Sequence, residues 1–384
     1  MHLTTTEMIR RLIATPSVSS TLPNLDQSNE AVVNQLAEWL EHEGYAIELI
    51  PVASGNHNKL NLIATKGQGS GGLVLSGHTD TVPCNLELWQ QDPFTLTERN
   101  NRFYGLGTSD MKSFLALAIE AGREFEAKQL TQPLIILATA DEESSMAGAQ
   151  ALVRAAKPKA RSAIIGEPTS NKPIRMHKGV MMERIHILGQ AGHSSNPELG
   201  NSALEGMYKV IGELLAIRDE LQQQYQNPLF KIPVPTLNLG HIHGGDNPNR
   251  ICGDCLLDID LRPLPGMQIE ELRDLLHHRL QQRLSNSGLQ FSIEHLFAGT
   301  PAMETPADSK IVQLAEKLTG QQAEAIAFGT EGNYFRQLGM DVLVMGPGQI
   351  EVAHQPDEFL SLDQIDPTVA LLKQFIHQHC VLAE

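Results

Sequence analysis

Basic charge is scarce in this 384-residue sequence: 29 lysines and arginines stand against 45 aspartates and glutamates, a formal net charge of −16. That deficit argues against a phosphate-backbone binder, which carries a basic stripe, and against polybasic attachment to anionic lipid. Neither nucleic acid nor a membrane is an expected partner. Long apolar runs are missing as well, with no stretch approaching the roughly 18 residues of a membrane span. The N-terminus reaches Arg10-Arg11 without the apolar core or small-residue cleavage site of a secretory signal. Cysteine is sparse too: Cys84, Cys252, Cys255 and Cys380 are too few and too scattered for a disulfide scaffold in a chain this long. Cys252 and Cys255 form C-x-x-C, yet no second Cys/His pair completes a tetrahedral zinc site and the surrounding residues 250–261 read as strand, so a structural role is expected. These absences point to a reducing, cytoplasmic setting. With no repeats or low-complexity segments, 41% apolar and 19% charged residues describe an ordinary folded protein, long enough for two or three domains.

What is present is a rhythm. Asp26 is the expected N-cap of a helix whose apolar positions Val32, Val33, Leu36, Trp39 and Leu40 recur at helical spacing and which ends near Gly44. Strands are expected at 45–52, 60–65, 73–76, 134–140 and 163–166, with helices over 113–125 and 146–156 between the last three. Such alternation predicts an α/β fold with a mainly parallel sheet covered by helices, whose ligands bind beyond the carboxyl ends of the strands. From Gly179 the pattern becomes strand 180–189, helix 201–222, strands 236–241 and 255–261, helix 269–284 and strand 289–296, the ferredoxin-like α+β order. The expected organisation is a catalytic domain in two parts, 1–178 and 293–384, with a second domain inserted at 179–292. Late in the chain, a helix over 309–318, a strand at 342–345 and a helix over 366–377 resume the first pattern.

Chemistry gathers where the strands end. The run Leu73-Val-Leu-Ser-Gly-His-Thr-Asp80 carries His78 and Asp80 two residues apart, hence on one side of an extended segment, so that Asp80 can accept the second imidazole N–H of a metal-ligating His78. Asp110 precedes the helix near Ser113, where it can serve as an N-cap or as a metal ligand. The pair Gly105-x-Gly107 lacks the third glycine of a dinucleotide loop. Asp141-Glu142-Glu143 follows the fourth strand, and clustered carboxylates at such an edge need a cation. Adjacent side chains diverge, so one of Glu142 and Glu143 can bind metal while the other acts as a base. Glu167 ends the fifth strand, and His354 lies in a loop after the strand at 342–345. Imidazole and carboxylate donors without thiolates suit zinc, cobalt or manganese, and a pair of such ions bridged by one carboxylate is the arrangement expected for hydrolysis.

The segments Gly77-His-Thr-Asp-Thr-Val-Pro83, Tyr104-Gly-Leu-Gly-Thr-Ser-Asp-Met-Lys112, Ala138-Thr-Ala-Asp-Glu-Glu143, Ile165-Gly-Glu-Pro-Thr169, Gly192-His-Ser-Ser195, Asn249-Arg-Ile-Cys252 and Ala353-His-Gln-Pro-Asp357 together resemble the M20 metallopeptidase and aminoacylase family. The resemblance implies a zinc-exopeptidase-like catalytic sheet, an inserted dimerisation domain, a homodimer, and two divalent ions, zinc or cobalt. It implies that His78, Asp110 and Glu167 hold one ion and Asp110, Glu143 and His354 the other, with Glu142 as general base and Asp80 orienting His78. It further implies a cis peptide bond after Asp110, a His193 that reaches into a partner subunit's site to stabilise the oxyanion, and an Asn249–Arg250 pair that binds substrate carboxylate or the oxyanion. Ser113 stands where the family has glycine, a change expected to act on the start of the helix. Glu331 either attracts a substrate ammonium group or is an exposed loop charge. The implied reaction is hydrolysis of a small acylated amino acid; a dipeptidase, another acyl-amino-acid hydrolase, or a catalytically silent binding protein are the rivals.

Overall fold

Strands buried at every position have both faces covered, and this defines the centre of the first sheet: Leu73–His78, Leu134–Thr139 and Ser162–Pro168 are buried throughout. The computed structural model describes residues 2–53 and 57–382. It divides into two compact units, one of Met1–Arg175, Glu304–Glu324 and Thr330–Glu384, the other of Met176–Met303 and Ala325–Gly329.

In the first unit the strands run in the spatial order Ala46–Val52, Lys59–Lys66, Leu134–Thr139, Leu73–His78, Ser162–Pro168, Asp341–Gly346. The last four are mutually parallel, while the first two form an antiparallel hairpin on one side rather than continuing the alternation. Helix Lys112–Gly122, buried almost all round, lies against this sheet. The approach is close enough that a Cβ on Gly166 would fall 2.0 Å from the Phe114 ring, so the strand leading to Glu167 needs glycine there. Helix Glu30–His42 starts after Asn29, and Asp26 is not its cap. Asp26 instead accepts from the buried ammonium of Lys59 at 2.6 Å and supplies the counter-charge that an interior cation needs. Two elements lie outside the pattern expected from the sequence: helix Thr5–Ile13, capped by Thr4 and burying Met8, Ile9, Leu12 and Ile13, and a small antiparallel sheet of Phe359–Ser361, Arg102–Tyr104 and Thr97–Arg99.

The second unit follows the expected strand and helix order, with an antiparallel sheet arranged Thr236–Gly244, Asp254–Arg262, Met181–Leu188, Gln290–His295. Alternate residues of Met181–Leu188 and Asp254–Arg262 are buried, the pattern of a sheet covered on one face. Helices Ala203–Gln224 and Ile269–Leu284 are tied to each other by Arg279, which reaches both Glu213 and Glu220. The unit begins at Met176 and runs to Met303, past the boundary at 292 read from the sequence. Beyond Gln290–His295 the chain is still hydrogen-bonded within this unit, as Thr300 and Val180 exchange backbone hydrogen bonds of 2.8 Å. Among the described residues no helix is long and apolar enough to cross a membrane.

Candidate metal centre and active site

Parallel register brings the strand ends of the first unit together: His78 is opposite Thr139, two residues before Asp141, and Gly346 is opposite Pro168, next to Glu167. His78 Nε2 lies 3.1 Å from Asp110 Oδ1. Its Nδ1 is 2.9 Å from the Asp80 main-chain carbonyl and 3.8 Å from the Asp80 carboxylate. The expected carboxylate partner is thus replaced by that residue's carbonyl, to which Nδ1 donates, and Nε2 is the nitrogen turned towards Asp110. The Asp80 carboxylate instead accepts the Glu143 backbone N–H at 3.1 Å and so positions the acidic turn. His354, held at φ +59°, directs Nε2 to Glu143 Oε1 at 3.0 Å and to Asp110 Oδ2 at 3.3 Å. Donor atoms of His78, Asp110 and Glu143, and likewise of His78, Glu142 and Glu167, lie within 4.8 Å of one another. The peptide bond after Asp110 is cis. Ser113 falls in the first turn of helix Lys112–Gly122 and is buried.

The electrostatics fit a site built for cations. Burial, reinforced by Glu167, pushes the Glu142 carboxyl well above its usual range, and burial with the Asp110 charge does the same to Glu167. Burial also acts on Asp110, but hydrogen bonds from His354 and His78 outweigh it and keep that carboxyl low. Contact with Asp110 and Glu143 raises His354 to about 10. Carboxylates that repel one another at such spacing, together with imidazole nitrogens facing them, are the donor set of a divalent ion, whose charge would relieve the repulsion. A third grouping, His2, His42 and Glu43, is different, because Arg123 already pairs with the Glu43 carboxylate at 2.9 Å.

Glu331 is no exposed loop charge. It is 1% exposed, accepts from the Thr139 hydroxyl at 3.0 Å through Oε2, and leaves Oε1 buried without a hydrogen-bond partner. Burial raises its carboxyl to about 7. His193, Asn249 and Arg250 form a separate group in the second unit. His193 is exposed, forms a backbone bridge with Arg250, and accepts from the Ser195 N–H and hydroxyl at Nδ1 (3.2 and 2.8 Å), which leaves Nε2 to donate. The Asn249 carbonyl accepts the Ser194 N–H at 3.1 Å, and Arg250 pairs with Asp246 at 2.7 Å beside a cavity of about 710 Å³. In the same unit Cys252 donates to the Asp254 carbonyl and Cys255 is buried; all four cysteines are free thiols.

Two buried residues were missed in the sequence. Lys112 donates to the Thr15 carbonyl at 2.8 Å and the Ser17 hydroxyl at 3.1 Å. Glu358 sits beneath the Asp110 loop, and its only sequence signal is a place four residues after His354.

The sequence profile of peptidase family M20/M25/M40 matches residues 74–378. The chain belongs to this family. Its M20 relatives include an acetylornithine deacetylase of Edwardsiella ictaluri, 51% identical over 97% of each chain. One of Proteus mirabilis is 50% identical over 98% of this chain and 96% of its own. Among solved structures, an M20 family metallo-carboxypeptidase from Sulfolobus solfataricus superposes with a TM-score of 0.77 at 18% identity, covering 98% of this chain and 99% of that one. An aminopeptidase from Bacillus cereus gives 0.75 at 18% identity over 97% of each chain. The mixed α/β fold with a mainly parallel central sheet is therefore shared with these M20 peptidases.

Proposed function

We infer that this M20 chain is a metal-dependent amide hydrolase that converts N2-acetyl-L-ornithine and water to L-ornithine and acetate, a step of arginine biosynthesis. The observation that carries this reading is the meeting of two imidazoles and four carboxylates at one sheet edge, in a chain similar over nearly its whole length to acetylornithine deacetylases. We propose that His78, Asp110 and Glu167 hold one zinc ion and Asp110, Glu143 and His354 a second, with cobalt as the alternative metal. When bound, such ions polarise an amide carbonyl and acidify water. Glu142 takes the proton of the attacking water and passes it to the leaving amine, a task suited to a buried carboxyl whose proton affinity is raised. The carbonyl of Asp80 keeps His78 in the Nδ1–H form. Asn249 and Arg250 bind the substrate carboxylate or the oxyanion, and Glu331, with its unpartnered buried oxygen, supplies counter-charge for the ornithine side-chain ammonium group. Through its Nε2–H, His193 stabilises the oxyanion in a partner subunit's site. Four free thiols suit a reducing cytoplasm.

A homodimer is part of this proposal. Strand Thr236–Gly244 lies at the edge of its sheet with Ile242 49% exposed, and helix Ala203–Gln224 presents Leu204 and Tyr208 at 49% and 79%. An open edge beside apolar side chains fits a second copy of the same surface.

The test is a panel of acylated amino acids and dipeptides, assayed with and without chelator. Acetylornithine is expected to give the highest kcat/KM and to lose turnover on chelation. Glu142→Ala should lower kcat by about 10²–10⁴-fold with zinc content near normal, as expected on loss of a general base. A preference for a dipeptide would assign another M20 activity, and tight binding without turnover would assign a silent member.

A further inference from the structure

We propose that Glu358 is a positioning residue of the metal centre, acting through the backbone of Asp110. This rests on the metal reading above. Both oxygens of its buried carboxylate are committed to one loop: Oε1 accepts the Ser109 and Asp110 N–H groups at 2.7 and 3.0 Å, and Oε2 accepts the Gly107 N–H at 3.1 Å. Strand pairing delivers the residue there. Phe359 is opposite Tyr104, and the Glu358 carbonyl accepts the Gly105 N–H at 3.0 Å.

Four residues upstream, the same segment supplies His354, whose Nε2 reaches the Asp110 carboxylate at 3.3 Å. Residues 354–358 therefore hold Asp110 at both ends, the side chain through His354 and the main chain through Glu358. Placing an acidic group beneath the loop that carries the Asp110 carboxylate opposes that charge, so an interior built only for stability gains little from it. An acceptor that takes three N–H groups at once does, however, fix the loop with the precision that a shared metal ligand requires.

Glutamine keeps the shape but can offer one oxygen only, so an NH2 group must face either the Gly107 N–H or the Ser109 and Asp110 pair. Zinc affinity, measured by competition with a chromogenic chelator, is expected to fall about ten-fold in Glu358→Gln and about 100-fold in Glu358→Ala, the range found when groups behind a metal ligand are removed. Added zinc should restore kcat in both variants, with KM for acetylornithine within about two-fold of the parent at saturating zinc. Folded variants that bind zinc like the parent, whatever their melting temperature, would overturn the proposal by reducing Glu358 to a partner for buried N–H groups. Should Glu358→Ala fail to fold, the glutamine variant decides. A parent enzyme that binds no zinc would instead overturn the metal reading itself, and this proposal with it.

Discussion

Burial outweighs a hydrogen bond in setting the proton balance of His177. Its ring is 0% exposed, Nδ1 donates to the Lys178 carbonyl at 2.8 Å, and Nε2 is buried without a partner. Desolvation lowers its pKa to about 4 from an ordinary value near 6.5. Between these values the unfolded chain binds more proton than the folded one, so the contribution is complete above about pH 6.5 and is lost as pH falls towards 4, by about 1.4 kcal/mol per pH unit. Urea unfolding at pH 6.5 and pH 5 should show His177→Leu losing about 1–2 kcal/mol less than the parent over this interval. Parallel losses would contradict the assignment. At this scale the sequence was legible where a side chain carries the chemistry and illegible where a backbone atom does. His78, Asp110, Glu142, Glu143, Glu167 and His354 announce themselves by type and by position at strand ends. The hydrogen bond from His78 to the Asp80 carbonyl and the three N–H groups on Glu358 leave no mark in residue identity.

Elements were legible in proportion to their burial pattern. Helix Ile269–Leu284 repeats buried leucines at 272, 276, 280 and 284, and both of its ends fall where the sequence pattern predicts them. Strands Phe359–Ser361 and Thr97–Arg99 are three residues long, too short for any period to emerge. Strand Thr236–Gly244 continues three residues past the expected end at 241, with a register shift between Leu239 and His241 that breaks the alternation. That strand and helix Ala203–Gln224 carry the proposed dimer contact. Sedimentation velocity at micromolar concentration should show a dimer for the parent and a monomer for Tyr208→Glu combined with Ile242→Asp. Both positions are exposed enough for the monomer to remain folded. A monomeric parent, or a dimeric double variant, would contradict the contact.

Across the whole molecule, two units each have their own core, one around helix Lys112–Gly122 and the other between the ferredoxin-like sheet and its two helices. Parallel strands explain why residues as far apart in sequence as His78 and His354 meet: each strand of such a sheet delivers its carboxyl end to the same edge. The acidic balance of the chain is locally acute there, where burial raises Glu142, Glu143 and Glu167 together. Divalent ions are the simplest account of why these carboxylates are gathered. Anomalous diffraction at the zinc edge, from crystals of zinc-loaded protein, tests this most directly. Two peaks are predicted, one touching His78 and Glu167 and the other touching Glu143 and His354, with Asp110 between them. No peak in this cluster, or zinc found only at His2, His42 and Glu43, would contradict the account.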